Sequence, residues 1–252
     1  MKIIRVRARN PFGKTKIPGV DFVINQYIGC IHGCKYCYAK FMCRWHGEWG
    51  KWVMVRENLP ELIRGKFVSG SVLMSSISDP YQPIEKKLEL TRKVLKAMNR
   101  KIRLKILTKS DLILRDVDLL EEFRRLEVGL TVNSFDEELR KIIEPKAPSM
   151  ERRFKALERL HDHGIKTYSF IAPVIPKITD LNYVIERTKD HVEYYIVELL
   201  NLKASGNFCS WLKENYPSSY YVLKVDVNKY AEKVRKTLAE HGVLGKVIVH
   251  PQ

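Results

Sequence analysis

The sequence predicts an α/β fold built on a parallel sheet, and three observations carry that expectation. Short apolar runs alternate with segments of helical periodicity between residues 20 and 200. Capping and turn residues fall at the joints between them. A chain of 252 residues can also bury roughly 70 to 75% of its unfolded surface in one domain. The hydrophobic fraction of 45% and charged fraction of 29% exclude a disordered chain.

Residues 1–19 form a lead-in. Met1 to Arg9 alternates partly between apolar and basic residues, as an edge strand or a phosphate-facing arm would, and Asn10-Pro11-Phe12-Gly13 is turn chemistry. Val20 to Ile28 reads as the first strand and delivers a cysteine-rich loop. Phe41 to Val55 then interleaves Trp45, Trp49 and Trp52 with Arg44, His46 and Lys51. Such aromatics either stack on bases or pack the cysteine loop against the sheet.

Asn58 caps a short helix with Pro60 in its first turn, and Ser71 to Ile77 is a second strand. One helix is expected over Ile84 to Asn99, with Leu88, Thr91, Val94, Leu95 and Met98 on one face. Strand Ile102 to Thr108, helix Asp116 to Leu126 and strand Val128 to Val132 follow. Ser134-x-x-Glu137 has the form of a capping box. Ser149 caps a helix whose stripe is Met150, Phe154, Leu157 and Leu160, with Gly164 past its end. Strands Lys166 to Ile171 and Glu193 to Leu199 enclose a helix near Leu181 to Thr188.

Counted from Val20, six strands are joined by helices, the pattern of right-handed parallel crossovers. Open and closed sheets share it. Residues 201–252 form a short α+β appendage capping the sheet: loops at 205–207 and 217–219, a strand over Tyr220 to Val227, a helix capped by Asn228, and a last strand over Val247 to Val249. Cys209 and Trp211 fall in its least regular part.

The 45 Lys and Arg residues exceed the 29 Asp and Glu residues, for a net charge of +16. Such an excess attracts polyanions, with DNA or RNA as the candidate partner; a solvated basic surface of no specificity is the plainer alternative. No apolar run approaches the ~20 residues that span a bilayer, so no membrane role is expected. Five cysteines, three of them clustered, with no signal-peptide pattern, predict a reducing compartment, the cytoplasm.

Cys30, Cys34 and Cys37 form a CxxxCxxC motif, with Gly29 and Gly33 where the backbone turns tightly. Disulfides do not account for an odd trio this close together. Three thiolates holding an iron-sulfur cube leave one iron open for a substrate or cofactor. A zinc site recruiting His32, His46 or Cys43 is the alternative. Chemistry in a parallel α/β fold gathers at the carboxyl ends of strands. Ser75, Ser76, Ser78 and Asp79 follow the second strand, Thr108, Lys109 and Ser110 the third, Asn133 and Ser134 the fourth, and Ala172-Pro173 the fifth.

The motif, with the aromatic Tyr36 before its last cysteine, resembles the signature of the radical S-adenosylmethionine enzymes. Tyr27 to Cys30, Cys37-Tyr38-Ala39 and the run Asp79-Pro80-Tyr81-Gln82-Pro83-Ile84-Glu85 are similar to the branch containing spore photoproduct lyase and its uncharacterised relatives. The resemblance covers roughly residues 20 to 200. It implies a partial (β/α)6 barrel, a 4Fe-4S cluster on Cys30, Cys34 and Cys37, and S-adenosyl-L-methionine on the open iron. It also implies an electron donor such as a ferredoxin or flavodoxin, and an enzyme of lyase or transferase type in which reductive cleavage of the sulfonium yields a 5′-deoxyadenosyl radical.

The same resemblance puts Tyr36 beside the adenine and backbone near Ser76, Ser78 and Asp79 on the ammonium. Lys109 and Ser110 fall toward the carboxylate, and Asn133 is a further cofactor contact. Tyr38 matches a position that relays hydrogen, and Cys209 is a substitute donor if the tail folds over the site. Cys43 is expected to be a buried thiol outside the ligand set. The branch places a cysteine near the end of the second strand, where this chain has serines, which argues against the same lyase reaction. Nucleic acid, in repair or modification, is the expected substrate class. A peptide or small metabolite, and a non-catalytic iron-sulfur or zinc protein that binds nucleic acid, are the alternatives.

Overall fold

The computed structural model describes residues 1–43 and 46–252. Arg44 and Trp45, part of the tryptophan-rich expectation, lie outside the described residues. The first half runs β1 (Lys2–Val6), β2 (Gly13–Lys14), β3 (Phe22–Ile24), β4 (Tyr27–Ile28), α1 (Ala39–Met42), β5 (Trp52–Arg56), α2 (Leu59–Ile63), β6 (Ser71–Met74), α3 (Glu85–Leu88), α4 (Leu90–Ala97), β7 (Arg103–Thr108) and α5 (Val117–Leu120). The second runs β8 (Leu126–Val132), α6 (Glu137–Ile143), α7 (Met150–Asp162), β9 (Thr167–Val174), α8 (Leu181–Thr188), β10 (Tyr194–Leu199), α9 (Leu202–Ser205), α10 (Asn207–Asn215), α11 (Pro217–Val225), α12 (Val227–Glu240) and β11 (Gly245–Ile248).

The main sheet has the order β11-β10-β9-β8-β7-β6-β3-β2, and a smaller one the order β1-β5-β4. From β3 to β11 every neighbouring pair in the main sheet is parallel. At its edge β2 runs antiparallel to β3, as β4 does to β5 in the smaller sheet. The six expected strands are thus β3, β6, β7, β8, β9 and β10 in consecutive positions. The sheet is open between β2 and β11, as a partial barrel requires.

The register sorts residues onto two faces. Val128, Leu130 and Val132 of β8 are fully buried and share the outer face, against which α7 packs. The inner face carries Lys105 opposite Glu127, Gly129 opposite Tyr168, and Tyr168 opposite Tyr194. The two tyrosine rings stack at 5.0 Å, and the Tyr194 hydroxyl donates to Glu127 at 2.8 Å. Gly129 is required here, since a Cβ would lie 2.2 Å from the Tyr168 ring. Gly129→Ala is expected to destabilise the chain by about 1–3 kcal/mol or more, with Tyr168→Leu restoring part of the loss, read by chemical denaturation of both variants.

Several elements differ from the sequence expectation, each for a local reason. The run Val20 to Ile28 divides between sheets as β3 and β4, and Asn25 at the joint is drawn aside to accept the Ser76 amide at 2.8 Å. β1 is a strand and not an arm, paired in parallel with β5 inside the tryptophan-rich stretch. The helix expected over Ile84 to Asn99 breaks at Glu89, which is left-handed at φ 51°. Glu85 causes the break: its fully buried carboxylate accepts the amides of Thr91 at 2.9 Å and Arg92 at 3.4 Å, so a new helix starts there.

Asp136, not Ser134, caps α6 by accepting the Leu139 amide, and the Ser134 hydroxyl instead accepts the Asp180 backbone amide. Residues 111–116 are a 3-10 turn leading into a one-turn α5, shorter than the expected helix. Ser149 caps α7 as its position suggests, and Asp180 caps α8 by accepting the Tyr183 amide.

The tail differs most. Pro217 to Val225 is helix α11, with Ser219 and Leu223 buried one turn apart, and not a loop and strand. Cys209 and Trp211 lie on a regular helix, α10. The last strand, β11, pairs in parallel with β10 and extends the main sheet. No helix among the described residues is long and apolar enough to cross a membrane.

Candidate cluster and cofactor site

The loop from Gly29 to Tyr38 leaves β4 and ends in α1. Gly29 and Gly33 both have positive φ, 84° and 68°. A Cβ on Gly29 would lie 2.7 Å from the fully buried Trp52, and one on Gly50 would lie 2.8 Å from the Gly33 Cα. Trp52 meets Trp49 edge to face and His46 at 4.9 Å. The described aromatics of this stretch therefore back the loop, as the packing alternative expected.

Within the loop the Gly33 amide donates to the Cys30 carbonyl and the Cys37 amide to the Cys34 carbonyl, both at 3.3 Å. Gln82 holds the loop from outside. Its amide nitrogen donates to the Gly29 carbonyl at 3.1 Å, and its carbonyl oxygen accepts the Ile31 amide at 2.8 Å. Ser78 donates to the same Gly29 carbonyl at 2.7 Å. The run from Asp79 to Glu85 thus works as a clamp on the cysteine loop, and Glu85 accepts from Tyr27 at 2.5 Å, just ahead of it.

All three cysteines are free thiols, Cys30 and Cys34 buried and Cys37 half-buried. Burial pushes each thiol up, and Asp79 adds to the effect at Cys30 and Glu144 at Cys34. Such thiols ionise when a cationic centre binds them, which fits ligands better than free nucleophiles. Among the described residues no three His, Cys, Asp or Glu side chains meet closely enough for a single ion. A cube several ångströms across makes no such demand. His32 is buried, and burial, followed by Arg153 and Lys109, lowers it to about 4 against the opposing charge of Asp79. Cys43 is buried at the end of α1.

A charged group that sequence reasoning missed lies beneath this loop. Glu144, 1% exposed, is bonded by the Tyr36 hydroxyl and by Arg153, and lies 3.8 Å from the Lys109 ammonium. Arg153 is fully buried and also donates to the Thr131 carbonyl at 3.1 Å and the Pro148 carbonyl at 2.8 Å. Burial alone would raise Glu144, but Arg153 and Lys109 more than reverse it and hold the carboxyl at about 2. Lys109 lies 5.7 Å from the centre of the Tyr36 ring. The network fixes Tyr36 and Lys109 relative to Cys34 before any cofactor arrives.

The remaining strand-end residues are held by the chain itself. Asp79 accepts the Thr108 hydroxyl at 2.6 Å and the amides of Lys109 and Tyr81, joining the ends of β6 and β7. Ser110 caps the 3-10 turn by accepting the Leu112 amide. Asn133 donates to the Pro173 carbonyl at 2.8 Å, which ties β8 to β9; Pro173 itself lies inside β9 and not beyond it. Tyr38, half-exposed, donates to the Ser76 carbonyl. On the inner face of β10, Glu198 pairs with His250 at 2.6 Å, a contact between remote positions that no local pattern announces.

The tail folds over the loop. Lys40 donates to the carbonyls of Lys35 at 2.7 Å and Ser205 at 2.5 Å, and Phe208 meets Tyr36 edge to face at 6.1 Å. Phe208, next to Cys209 on α10, makes the contact with Tyr36.

The family model of the radical SAM superfamily matches residues 24–185, which include the cysteine loop and every strand from β6 to β9. The chain belongs to the radical SAM superfamily. A 4Fe-4S cluster and S-adenosylmethionine are the cofactors of this enzyme family, and the three loop thiols are the donor set that fits the cluster. Among relatives, an uncharacterised protein of Methanocaldococcus jannaschii is 49% identical over 99% of this chain and 98% of its own length. An uncharacterised protein of Acidianus two-tailed virus is 29% identical over 90% and 77%. Spore photoproduct lyase complexed with dinucleoside spore photoproduct has the same fold at a TM-score of 0.61 and 16% identity, over 85% of this chain and 66% of that one. Streptococcus suis SuiB bound to S-adenosylmethionine superposes at 0.56 and 16% identity, over 91% and 50%. The chain thus spans just under two thirds of the lyase.

Proposed function

We propose that this radical SAM enzyme abstracts hydrogen from a nucleic acid, in repair or modification. The observation that carries the proposal is an exposed aromatic and apolar patch, Tyr38, Phe41 and Met42, on and just before α1, directly after the last loop cysteine, in a chain of net charge +16. Aromatic faces beside cations stack on unpaired bases. The fold shared with a lyase complexed with a dinucleoside photoproduct supports the same substrate class.

The bound cluster and S-adenosylmethionine supply reductive cleavage to methionine and a 5′-deoxyadenosyl radical. The chain's own residues position and shield them. Cys30, Cys34 and Cys37 hold the cluster, Tyr36 borders the adenine, and Lys109 meets the carboxylate from its place beside Glu144. The backbone around Ser76, whose side chain is bonded to Asn25, supplies a contact for the ammonium. Ser78, Asp79, Ser110 and Asn133 act through the backbone they fix, since their side chains are bonded within the chain. Tyr38 and Cys209 stand as donors that return hydrogen to the substrate, Tyr38 from its place at the end of the loop. The serines at the end of β6 support a reaction other than that of the lyase. A ferredoxin or flavodoxin supplies the electron.

Reconstituted anaerobically and reduced, the protein is expected to release 5′-deoxyadenosine; no release from an intact cluster would count against enzyme chemistry altogether. Gel-shift titrations with single-stranded and duplex DNA and RNA should show affinity that falls with salt. The double variant Tyr38→Ala, Phe41→Ala is expected to weaken binding about tenfold or more, since stacking contributes about 1–3 kcal/mol per base. Absence of binding at low salt would favour a peptide or small metabolite instead.

A further inference from the structure

A cleft of about 450 Å³ opens beside the cysteine loop, between the turn after β6, the turn after β7 and the segment joining α6 to α7. His32, which lies between two of the cluster ligands in the chain, lines it. Four cations line it as well, Lys86, Arg115, Lys146 and Arg152, against one carboxylate, Asp111. Arg152 is paired with Asp111, and Arg115 with Glu85 and Asp116. Lys86 and Lys146 are exposed and have no carboxylate within 4.0 Å among the described residues.

The positive face continues around the loop. Lys35 and Lys141 are exposed, and the Lys35 amide is bonded to the Ile143 carbonyl, which brings the loop against the end of α6. The Lys146 amide donates to the His32 carbonyl at 3.2 Å, so the same segment that carries the surface charge is bonded to the cluster loop. Ser110, at the end of β7, lies in its lining, whereas Ser76, Asn133 and Glu198, at the ends of β6, β8 and β10, do not.

We propose that this cleft and its lysine rim are the docking face for the electron donor, a small acidic flavoprotein that carries one electron. The proposal rests on the radical SAM assignment and adds the surface through which its electron enters. One electron passes from the reduced carrier to the cluster, and the carrier leaves oxidised by one electron. Transfer requires a close approach to the cluster, and the cleft is lined by His32, a residue of the ligand loop itself. Encounters of this kind use small interfaces steered by charge, so a few unpaired lysines are enough to select an acidic partner. A nucleic-acid backbone would also be drawn to lysines, but the exposed aromatics that would bind bases, Tyr38 and Phe41, do not line this cleft.

The test is the double variant Lys86→Glu, Lys146→Glu in the reconstituted protein, compared with wild type. Cluster reduction is followed by loss of visible absorbance in anaerobic stopped-flow, once with a reduced flavodoxin and once with dithionite. The expected result is at least a tenfold slower reduction by flavodoxin at low ionic strength, an unchanged rate with dithionite, and convergence of the two proteins at high salt. Calorimetric titration of the same proteins with oxidised flavodoxin should show a matching loss of affinity. An unchanged flavodoxin rate would overturn the proposal, as would weakened DNA or RNA binding with reduction intact. A wild-type cluster that dithionite reduces without cleavage of S-adenosylmethionine would count against the enzyme reading and not against the docking face.

Discussion

Glu144→Ala is expected to cost about 3–5 kcal/mol of folding stability, the usual penalty for removing one partner of a buried ion pair. The reason is Arg153, fully buried with its guanidinium against the carboxylate. Two carbonyl contacts remain, but no negative charge replaces the one removed. Glu144→Gln keeps the shape and some hydrogen bonding and should cost less. The carboxyl is held at about 2 against an ordinary value of 4.5. A depressed carboxyl contributes stability that is fully present above its unfolded value and is lost as pH falls through its folded value. The gap between wild type and Glu144→Gln should therefore be constant above about pH 4.5 and close as the pH falls toward 2, by urea denaturation across that range. A gap independent of pH would show that the carboxyl is not depressed in the folded chain. In the alanine variant Tyr36 and Lys109 lose their common partner, so weaker binding of S-adenosylmethionine should accompany the loss.

Replacing Cys30, Cys34 or Cys37 singly with alanine is expected to abolish cluster assembly while leaving the apoprotein folded. With two thiolates left, two irons lack protein ligands instead of one. The loop itself is held by contacts that do not involve sulfur, namely Gln82, Ser78 and Trp52. Iron analysis should fall from about four per chain to near zero, with far-ultraviolet circular dichroism unchanged. Cys43→Ala and Cys209→Ala should both retain iron. Full iron content in any of the three loop variants would move the ligand set to Cys43, which is buried nearby.

The legibility of the chain followed the range of the interactions involved. The cysteine trio lies within eight consecutive positions, so its convergence is a property of the local string. The order of the six strands was legible for a similar reason, because each strand pairs with the next in sequence. Glu144 was not, since its partners at positions 36, 109 and 153 come from three other segments and meet it only in the folded chain. Glu85 broke an otherwise continuous helical pattern, because a buried carboxylate competing for backbone amides leaves no trace in apolar periodicity. The run Tyr220-Tyr221-Val222-Leu223 has strand composition, but a half-buried helical face outweighs such propensity. Gln82 lies within the Asp79 to Glu85 run, and its role as a clamp depends on loop backbone more than fifty positions earlier, at Gly29 and Ile31.

The contact between Phe208 and Tyr36, and that between Lys40 and Ser205, tie the cysteine loop to residues more than 150 positions later. The main sheet grows in chain order and is suited to forming as the polypeptide leaves the ribosome. The loop's outer wall is supplied only after α10 has been made. Iron insertion is thus best served once α10 has been made, and a truncation before residue 208, which also removes β11 from the edge of the sheet, should hold its metal poorly.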